Sequence, residues 1–552
     1  MKKKHQEPKP SAETRSARVE GLRRRAFLGR LGLGAAGVLG VAGAANAEVG
    51  PLIGLERKQM ARRIRKGCAK IAANRPHPVH PDNGEESDYP YVANYSKGLP
   101  HDDLGEVDPA AYEALVRALS TGREEDFEAI PLAGTRKLTN PQAGLGFDLE
   151  GPDGHSLSIP PAPRIDSPEN SGEMVELYWQ ALTRDVHFSD YESDALALAA
   201  ADDLSRLSDF RGPKDDGGRV TPRTLFRGTA RGETDGPYIS QFLYRDIPYG
   251  TLTISQRQRT AVAGLDYMTA YRNWLKIQRG ATPSRSDQFE ALPLYIRNGR
   301  DLATYVHFDA LYEAYLNAAL ILLGLGAPAD PGNPYGRYRK TAPFGTFGGP
   351  HILSLVTEVA TRALKAVWFQ KWYVHRRLRP EAFGGRVHNH LTGARSYPID
   401  SEVLNSDAVS RVRSRHGSFL LPMAFPEGSP THPAYGAGHA TVAGACTTIL
   451  KAWFDEDHVL EAPVAASADG TDLVAYTGPG AERLTLGGEL NKLASNVAIG
   501  RNAAGVHWRT DASASLRLGE EIAIGVLEEQ RVTLAEPHSF TLTRFDGTRV
   551  TV

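Results

Sequence analysis

Helical periodicity dominates this 552-residue chain from about residue 170 onward. Apolar side chains recur every three or four positions, which is typical of helices that bury one face. The pattern predicts helices at roughly 171–184, 190–208, 255–279, 301–325, 350–378, 439–455, 484–498 and 511–531. The fold class that follows is mainly α, a large helical bundle spanning residues 170–552.

Little of the sequence favours strands. Short extended pieces are predicted near 236–245 and 350–356. At the C-terminus, two runs rich in β-branched residues, 540–543 and 548–552, flank Asp546-Gly547. Asp-Gly between such runs is a strong hairpin signal, so we expect a small C-terminal β-hairpin.

Residues 48–169 have a different character from the rest. The pattern predicts a basic helix near 54–74 and a short helix near 108–121. A Gly- and Pro-rich stretch from about 131 to 168 is typical of extended surface chain. We therefore predict an irregular and partly helical N-terminal region at 48–169, followed by the helical domain at 170–552.

The first 47 residues resemble a twin-arginine export signal. Arg24-Arg25-Ala26-Phe27-Leu28 precedes an uncharged stretch that ends in the small-x-small site Ala45-Asn46-Ala47. The prediction is a cleaved signal peptide at 1–47, a bacterial source and a periplasmic or secreted protein. An uncleaved membrane anchor is the alternative, although the stretch is short and glycine-rich for a membrane span. Gly32–Gly37 matches a dinucleotide-binding fingerprint, which we reject because no strand precedes it.

Charge and cysteine content exclude some classes of protein. The whole chain has a formal charge of −1, but four Lys, six Arg and three Glu give residues 1–47 a charge of +7. The remainder is thus near −8, which disfavours nucleic-acid binding. Two cysteines, Cys68 and Cys446, do not form a disulfide framework. Cys446 is expected to be a small buried apolar residue, and Cys68 to be free or intermolecular.

Against this acidic background, three short segments of the last third carry histidines and cations. They are residues 371–380 (KWYVHRRLRP), 432–439 (HPAYGAGH) and 500–507 (GRNAAGVH), with Asp511 following the third. Lysine and arginine clamp oxyanions, the first as a point charge and the second as a planar fork. Together the segments predict one site for a phosphate-shaped anion.

Each segment has its own local prediction. Lys371, His375 and Arg379 are spaced four apart and would share one helix face, and Pro380 would end that helix. Gly438-His439 would begin a helix whose free amides attract an anion. Asp511 would either orient His507 or cap the next helix. Arg376 and Arg377 are expected to be surface or structural ion pairs.

These motifs together resemble the signature of vanadium haloperoxidases and of the related acid and lipid phosphatases. The signature is Lys-x(7)-Arg-Pro, Gly-His and Arg-x(5)-His-x(3)-Asp, in that order. The phosphatase pattern has six residues between Lys and Arg, whereas this chain has seven. Trp368, the stretch around His432 and the terminal hairpin are similar to the algal and cyanobacterial bromoperoxidase branch. The resemblance extends from about residue 170 to 552.

The resemblance implies a vanadate cofactor and a role for each matching residue. His507 would bond vanadium and His439 would be the acid–base histidine. His432 would influence halide handling, and Lys371 would also polarise the bound peroxide. The remaining implied vanadate contacts are Lys371, Arg379, Arg501, the Gly438 amide, Trp368 and position 437. Substrates would be hydrogen peroxide, bromide or iodide, and small organic acceptors. Relatives are oligomeric, which implies a homodimer or larger assembly without nucleic acid or membrane.

Position 437 departs from the family pattern. The family has serine there, where its hydroxyl donates to a vanadate oxygen, and this chain has Ala437. Losing one hydrogen bond to a charged acceptor costs about 1.5–3 kcal/mol. We therefore expect weaker vanadate binding or a preference for a more easily oxidised halide.

Two other functions use the same pocket. In a phosphatase, His507 would attack phosphorus and His439 would protonate the leaving oxygen. A non-catalytic oxyanion-binding protein is the third hypothesis, and Ala437 is the observation that motivates it.

Overall fold

The computed structural model describes residues 54–552, so the predicted signal at 1–47 lies outside the described residues. Its α-helices are, in chain order, α1 (Gly54–Ala73), α2 (Glu85–Asp88), α3 (Pro109–Thr121), α4 (Glu124–Glu128), α5 (Pro168–Leu182), α6 (Ala195–Arg206), α7 (Tyr271–Gln278), α8 (Gly299–Phe308), α9 (Glu313–Gly324), α10 (Gly349–Phe369), α11 (Pro380–Leu391), α12 (Ser401–Leu404), α13 (Asp407–His416), α14 (Gly438–Trp453), α15 (Leu486–Ala503) and α16 (Arg509–Thr533). The mainly helical fold class is therefore confirmed.

Strands are few and short in the described part of the chain. They form three antiparallel pairs: β1 (Ile247–Tyr249) with β2 (Leu252–Ile254), β3 (Val464–Ala466) with β4 (Leu473–Ala475), and β5 (Thr541–Thr543) with β6 (Arg549–Thr551). The last pair has the register Thr541↔Thr551 and confirms the predicted C-terminal hairpin. Residues 350–356 belong to α10, so the extended piece predicted there is wrong.

The centre of the bundle is α14, which packs against α10, α15 and α16. It is buried along nearly its whole length, and Cys446 lies inside it as a free thiol, as expected. Two glycines permit the close approach of α14 to α16. A Cβ on Gly444 would lie 2.0 Å from the Leu516 carbonyl oxygen, and one on Gly519 would lie 2.0 Å from the Thr441 carbonyl oxygen. A side chain at either position would force the helices apart.

Two predicted helices are interrupted in the structure. Residues 255–270 are irregular chain that makes isolated bridges to other loops, for example between Gln258 and Leu294. Only Tyr271–Gln278 of that prediction is helical. The predicted helix 301–325 is two helices, since the chain leaves the α region at Asp309 (φ −60°, ψ 143°). That break proves important for the site.

The N-terminal region packs directly on the segments that carry the predicted site. Tyr95, Leu115 and Ile159 share a buried cluster with Val367, Trp368, Trp372, Tyr435 and Leu518. Short 3₁₀ turns at Pro141–Leu145 and Gly154–Ser156 give the Gly- and Pro-rich stretch local order. Cys68 is a buried free thiol in α1. None of the helices within residues 54–552 is long and apolar enough to cross a bilayer.

Candidate active site

The first segment does not continue α10 as one regular helix. After Phe369 the chain widens into a π-turn over Gln370–His375, in which the Arg376 amide donates to the Lys371 carbonyl at 3.1 Å. Arg376 is left-handed (φ 38°), and Arg379 is extended immediately before α11. Lys371, His375 and Arg379 therefore do not share a helix face, and that prediction is wrong. The restriction before Pro380 acts as predicted, but Pro380 begins α11.

The wide turn separates the basic residues by function. Arg377 is fully committed to buried ion pairs, with Glu173 at 2.7 Å and Asp511 at 3.0 Å. Arg376 pairs with Glu86. Lys371 and Arg379 instead contact the second segment, where the Lys371 ammonium donates to the Pro433 carbonyl and Arg379 Nε donates to the His432 carbonyl, each at 2.9 Å. The site that they form with the second and third segments is called the pocket below. The structural role expected for Arg376 and Arg377 agrees with these contacts.

Arg379 joins the first segment to the other two. Its Nε and Nη1 donate to the carbonyls of His432 (2.9 Å) and Val506 (2.7 Å). Nη2 donates to Nδ1 of His432 at 2.9 Å, and Nη1 donates to Nε2 of His507 at 3.1 Å. Because a guanidinium only donates, each of those histidine nitrogens carries a lone pair. The three predicted segments thus converge on one buried guanidinium.

Asp511 fixes the tautomer of His507. One carboxylate oxygen accepts from His507 Nδ1 at 2.8 Å and from the Trp508 amide at 3.0 Å. With its proton on Nδ1, His507 presents a bare Nε2 to the pocket, the form that a metal centre requires. Asp511 was predicted either to orient His507 or to cap the next helix. It does both, because the same carboxylate oxygen contacts His507 and caps α16.

The second segment ends at the start of α14, and this helix terminus lies beside the pocket. Ala437 is the N-cap residue and contributes no side-chain hydrogen bond, so the amides of the first turn lack a cap. The Ala437 amide itself donates to the Ser515 hydroxyl at 2.8 Å. A Cβ on Gly438 would lie 3.1 Å from the Trp368 ring, so glycine keeps this turn open to a small anion. The predicted helix start at Gly438-His439 is confirmed.

His439 has an acidic partner that the sequence did not reveal. Its Nε2 lies 3.0 Å from Oδ1 of the buried Asp309. Burial opposes ionisation of Asp309, but His439 and Arg501 outweigh it and hold the pKa of that carboxyl below its usual value. Neither glycine nor proline marks the helix break at 309, which is why periodicity alone passed through it. The His439 side chain is 18% exposed, whereas Lys371, Arg379 and His507 are fully buried, so His439 lies nearest to solvent.

Trp368 and His432 form one wall of the pocket. Their rings lie 4.9 Å apart, and the Lys371 ammonium lies 5.3 Å from the Trp368 ring centre. The Trp368 indole donates to the Thr139 carbonyl at 3.2 Å, and the Thr139 amide donates to the Thr431 carbonyl at 2.8 Å. The N-terminal region therefore braces this wall, a contact that sequence patterns gave no means of finding.

The pocket is short of negative charge. Within residues 54–552, Lys371, Arg379 and Arg501 form no ion pair, although all three are buried. Burial lowers the pKa of Arg379 and that of Arg501 to about 10, and burial together with both arginines pulls the pKa of Lys371 well below its usual value. Arg501 donates Nη1 to the Val306 carbonyl at 2.5 Å, while its buried Nε has no partner. An oxyanion would satisfy this set of donors.

The donor set suits a tetrahedral oxyanion better than a metal cation. No group of three or more His, Cys, Asp or Glu side chains able to hold a cation occurs in the described part of the chain. Three cations, the open start of α14 and a bare imidazole nitrogen converge instead. Fold and pocket together define the class: a helical-bundle protein with a buried site suited to an oxyanion and with one unprotonated histidine nitrogen beside it.

Comparison with known proteins agrees with that class. A family model described as the VCPO second helical-bundle domain matches residues 353–534. Vanadium-dependent bromoperoxidases of Corallina pilulifera and Corallina officinalis are each 41% identical, over 88% and 86% of this chain and 97% and 92% of their own. That of Ascophyllum nodosum is 36% identical, over 84% of this chain and 87% of its own. The chain belongs to the vanadium-dependent bromoperoxidase family.

A solved structure extends the match to three dimensions. The second vanadate-dependent bromoperoxidase of Ascophyllum nodosum, a homohexamer, superposes with a TM-score of 0.87 at 30% identity. The match covers 94% of this chain and 95% of that one, so it includes the N-terminal region as well as the helical bundle. These relatives do not favour the phosphatase alternative.

Proposed function

We propose that this protein is a vanadate-dependent haloperoxidase that oxidises bromide, iodide or both with hydrogen peroxide. The observation that carries the proposal is the set of buried cations without ion-pair partners around the unprotonated Nε2 of His507, which accepts from Arg379. Bound vanadate would supply a Lewis acid that polarises hydrogen peroxide toward attack by a halide ion. The net reaction converts hydrogen peroxide, halide and a proton to hypohalous acid and water.

The anion would be held by groups whose positions are already fixed. His507 would bond the central atom through Nε2, because Asp511 keeps the proton on Nδ1. Lys371, Arg379 and Arg501 would balance the oxyanion charge, and the unpartnered Nε of Arg501 would gain an acceptor. The Gly438 amide would donate from the start of α14. Ala437 has no hydroxyl to donate to the anion, so vanadate would bind more weakly. The weaker site would favour iodide, the more easily oxidised halide, over bromide.

Proton movement falls to His439. Because its Nε2 faces the Asp309 carboxylate, the neutral ring has its lone pair on Nδ1. That nitrogen would accept a proton from entering hydrogen peroxide and return it to the oxygen that leaves as water. Asp309 would stabilise the imidazolium formed in between, since the two side chains lie 3.0 Å apart.

The wall formed by Trp368 and His432 would limit water and position the halide. Nδ1 of His432 lies 2.9 Å from Arg379 Nη2 and 3.2 Å from the Pro433 carbonyl; because a guanidinium only donates, the shorter contact favours the neutral ring with its hydrogen on Nε2. The pKa of His432 is held well below its usual value by burial and by Lys371 and Arg379, which favours this neutral form. A neutral N–H donor near an aromatic face is a suitable contact for a large, weakly hydrated anion.

The decisive experiment incubates the purified metal-free protein with orthovanadate and assays peroxide-dependent oxidation of bromide and of iodide separately. A phosphate ester is tested in parallel without vanadate, and His507→Ala serves as the inactive control. Vanadate-dependent halide oxidation that is lost in His507→Ala is expected. Ester hydrolysis inhibited by vanadate, with no halide oxidation, would instead establish the phosphatase. Tight vanadate binding without turnover would indicate a non-catalytic oxyanion protein.

The protein is also proposed to be exported from the cytoplasm and to form a homo-oligomer. The twin-arginine pattern at Arg24-Arg25 supports a bacterial protein exported in folded form to the periplasm or beyond. Replacing both arginines by lysine is expected to retain the protein in the cytoplasm of a bacterial host, as cell fractionation would measure. We further propose a homodimer or larger homo-oligomer, supported by the homohexamer of the structural relative. Small organic molecules are the proposed acceptors of the hypohalous acid.

A further inference from the structure

In the segment 145–150 the apolar side chains face solvent, whereas the acidic side chains between them contact the protein. Phe147 is 85% exposed and Leu149 is fully exposed, with Leu145 at 38%. The intervening Asp148 and Glu150 point inward and are less exposed than their apolar neighbours. The usual arrangement has apolar side chains buried and carboxylates exposed, because burial of apolar surface and hydration of carboxylates are both favourable.

Two ion pairs to α10 hold this inverted arrangement in place. Lys365 pairs with Asp148, and Arg362 pairs with Glu150 at 2.9 Å and with Glu358 at 2.6 Å. Gly144 and Gly151 anchor the two ends, since a Cβ on either would lie within 3.0 Å of Phe369 or of Val526. The segment is therefore a fixed surface, and Phe147 and Leu149 cannot turn inward without breaking the ion pairs.

We propose that residues 145–150 form a contact between copies of this chain, with Phe147 and Leu149 buried against a second copy. The inference rests on the homo-oligomer proposed above and assigns one of its faces. Both carboxylates of the segment are already paired with cations. Two copies of the segment can therefore lie against each other without strong like-charge repulsion. A strongly acidic or basic partner would find no complementary charge there. Neighbouring apolar side chains that are exposed together on a protein surface mark sites of interaction with another protein.

The test uses the double variant Phe147→Asp/Leu149→Asp of the chain from Glu48 onward. A matched control carries Phe344→Asp/Leu292→Asp, because those side chains are 75% and 66% exposed and are of the same types. Molar mass is measured by light scattering over a dilution series, with circular dichroism and the thermal midpoint to verify folding. We expect the dissociation constant to rise at least ~100-fold in the first variant and little in the control.

The outcomes separate this inference from the proposals on which it rests. A monomeric wild-type protein would refute both the homo-oligomer and this interface. A wild-type oligomer that the first variant leaves intact, or that both variants dissociate equally, overturns the interface alone. The halide assay of the wild-type protein tests the haloperoxidase independently, since neither variant changes a residue of the oxyanion pocket.

Discussion

Replacing Ala437 by serine tests the oxyanion pocket at its point of departure from the family pattern. Ala437 is the N-cap of α14, is 2% exposed and has extended backbone angles (φ −88°, ψ 128°). A serine hydroxyl there can accept from an amide of the first turn and donate its own proton to a bound oxyanion. One substitution therefore has two separable effects, one on folding and one on binding.

The magnitudes follow from those two hydrogen bonds. A new N-cap is expected to stabilise the vanadate-free protein by about 1 kcal/mol. A hydrogen bond to a charged acceptor contributes about 1.5–3 kcal/mol, and the lower value corresponds to about tenfold tighter vanadate binding. We expect the lower value, because the capping bond holds the hydroxyl in both states. Bromide oxidation is expected to rise relative to iodide oxidation.

Thermal or urea unfolding without vanadate measures the first effect, and calorimetric titration with orthovanadate measures the second. Ala443→Ser is the matched control, since Ala443 is also buried in α14 but lies beyond its first turn. It should leave vanadate affinity unchanged and not stabilise the fold. If Ala437→Ser raises stability but not vanadate affinity, the hydroxyl caps the helix without reaching the anion, and the assignment of the pocket is wrong.

Two further predictions concern the charged groups. Arg501→Met is expected to weaken vanadate binding at least ~30-fold in calorimetry and to destabilise the vanadate-free fold less than Arg377→Met does, because Arg501 forms no ion pair and donates only to the Val306 carbonyl. Arg377→Met should destabilise by about 3–5 kcal/mol because it breaks two buried ion pairs, and equal destabilisation by both variants would contradict the distinction. Asp309→Asn is expected to slow halide turnover with little change in vanadate affinity. Because the folded pKa of Asp309 is lowered, its ionised form stabilises the fold above the ordinary aspartate pKa, and that contribution is lost as the pH falls through the folded pKa. Urea unfolding free energies of wild type and Asp309→Asn should therefore differ at neutral pH and converge as the pH falls below the ordinary aspartate pKa, and a difference that grows on acidification would refute this account.

Sequence patterns predicted the parts of the fold that depend on local periodicity. The core helices α14, α15 and α16 were predicted to within a few residues, because their apolar repeats and start signals agree. The terminal hairpin was predicted because Asp546-Gly547 fixes its turn chemistry. All three segments of the site were recognised by spacing, and the structure brings them together at Arg379.

What the sequence could not supply depends on long-range partners. Asp309 reaches His439 across 130 residues of chain, and its helix break follows from that tertiary contact. The Val306 carbonyl and the Thr139 carbonyl act through the backbone, so no residue type marks them. The π-turn at Gln370–His375 was missed because no glycine or proline lies within it to mark the end of the regular helix.

The same π-turn has an evolutionary consequence. In a regular helix, one inserted residue between Lys371 and Arg379 would swing the arginine about 100° around the axis and out of the pocket. Here a wide turn and an extended approach to Pro380 connect the two cations, and both can absorb a residue without rotating either side chain away. Lineages built on this pocket are therefore free to differ by one residue in that interval, as the six- and seven-residue spacings do. A sequence pattern that fixes this gap at seven residues would miss any chain that builds the same pocket with one residue fewer.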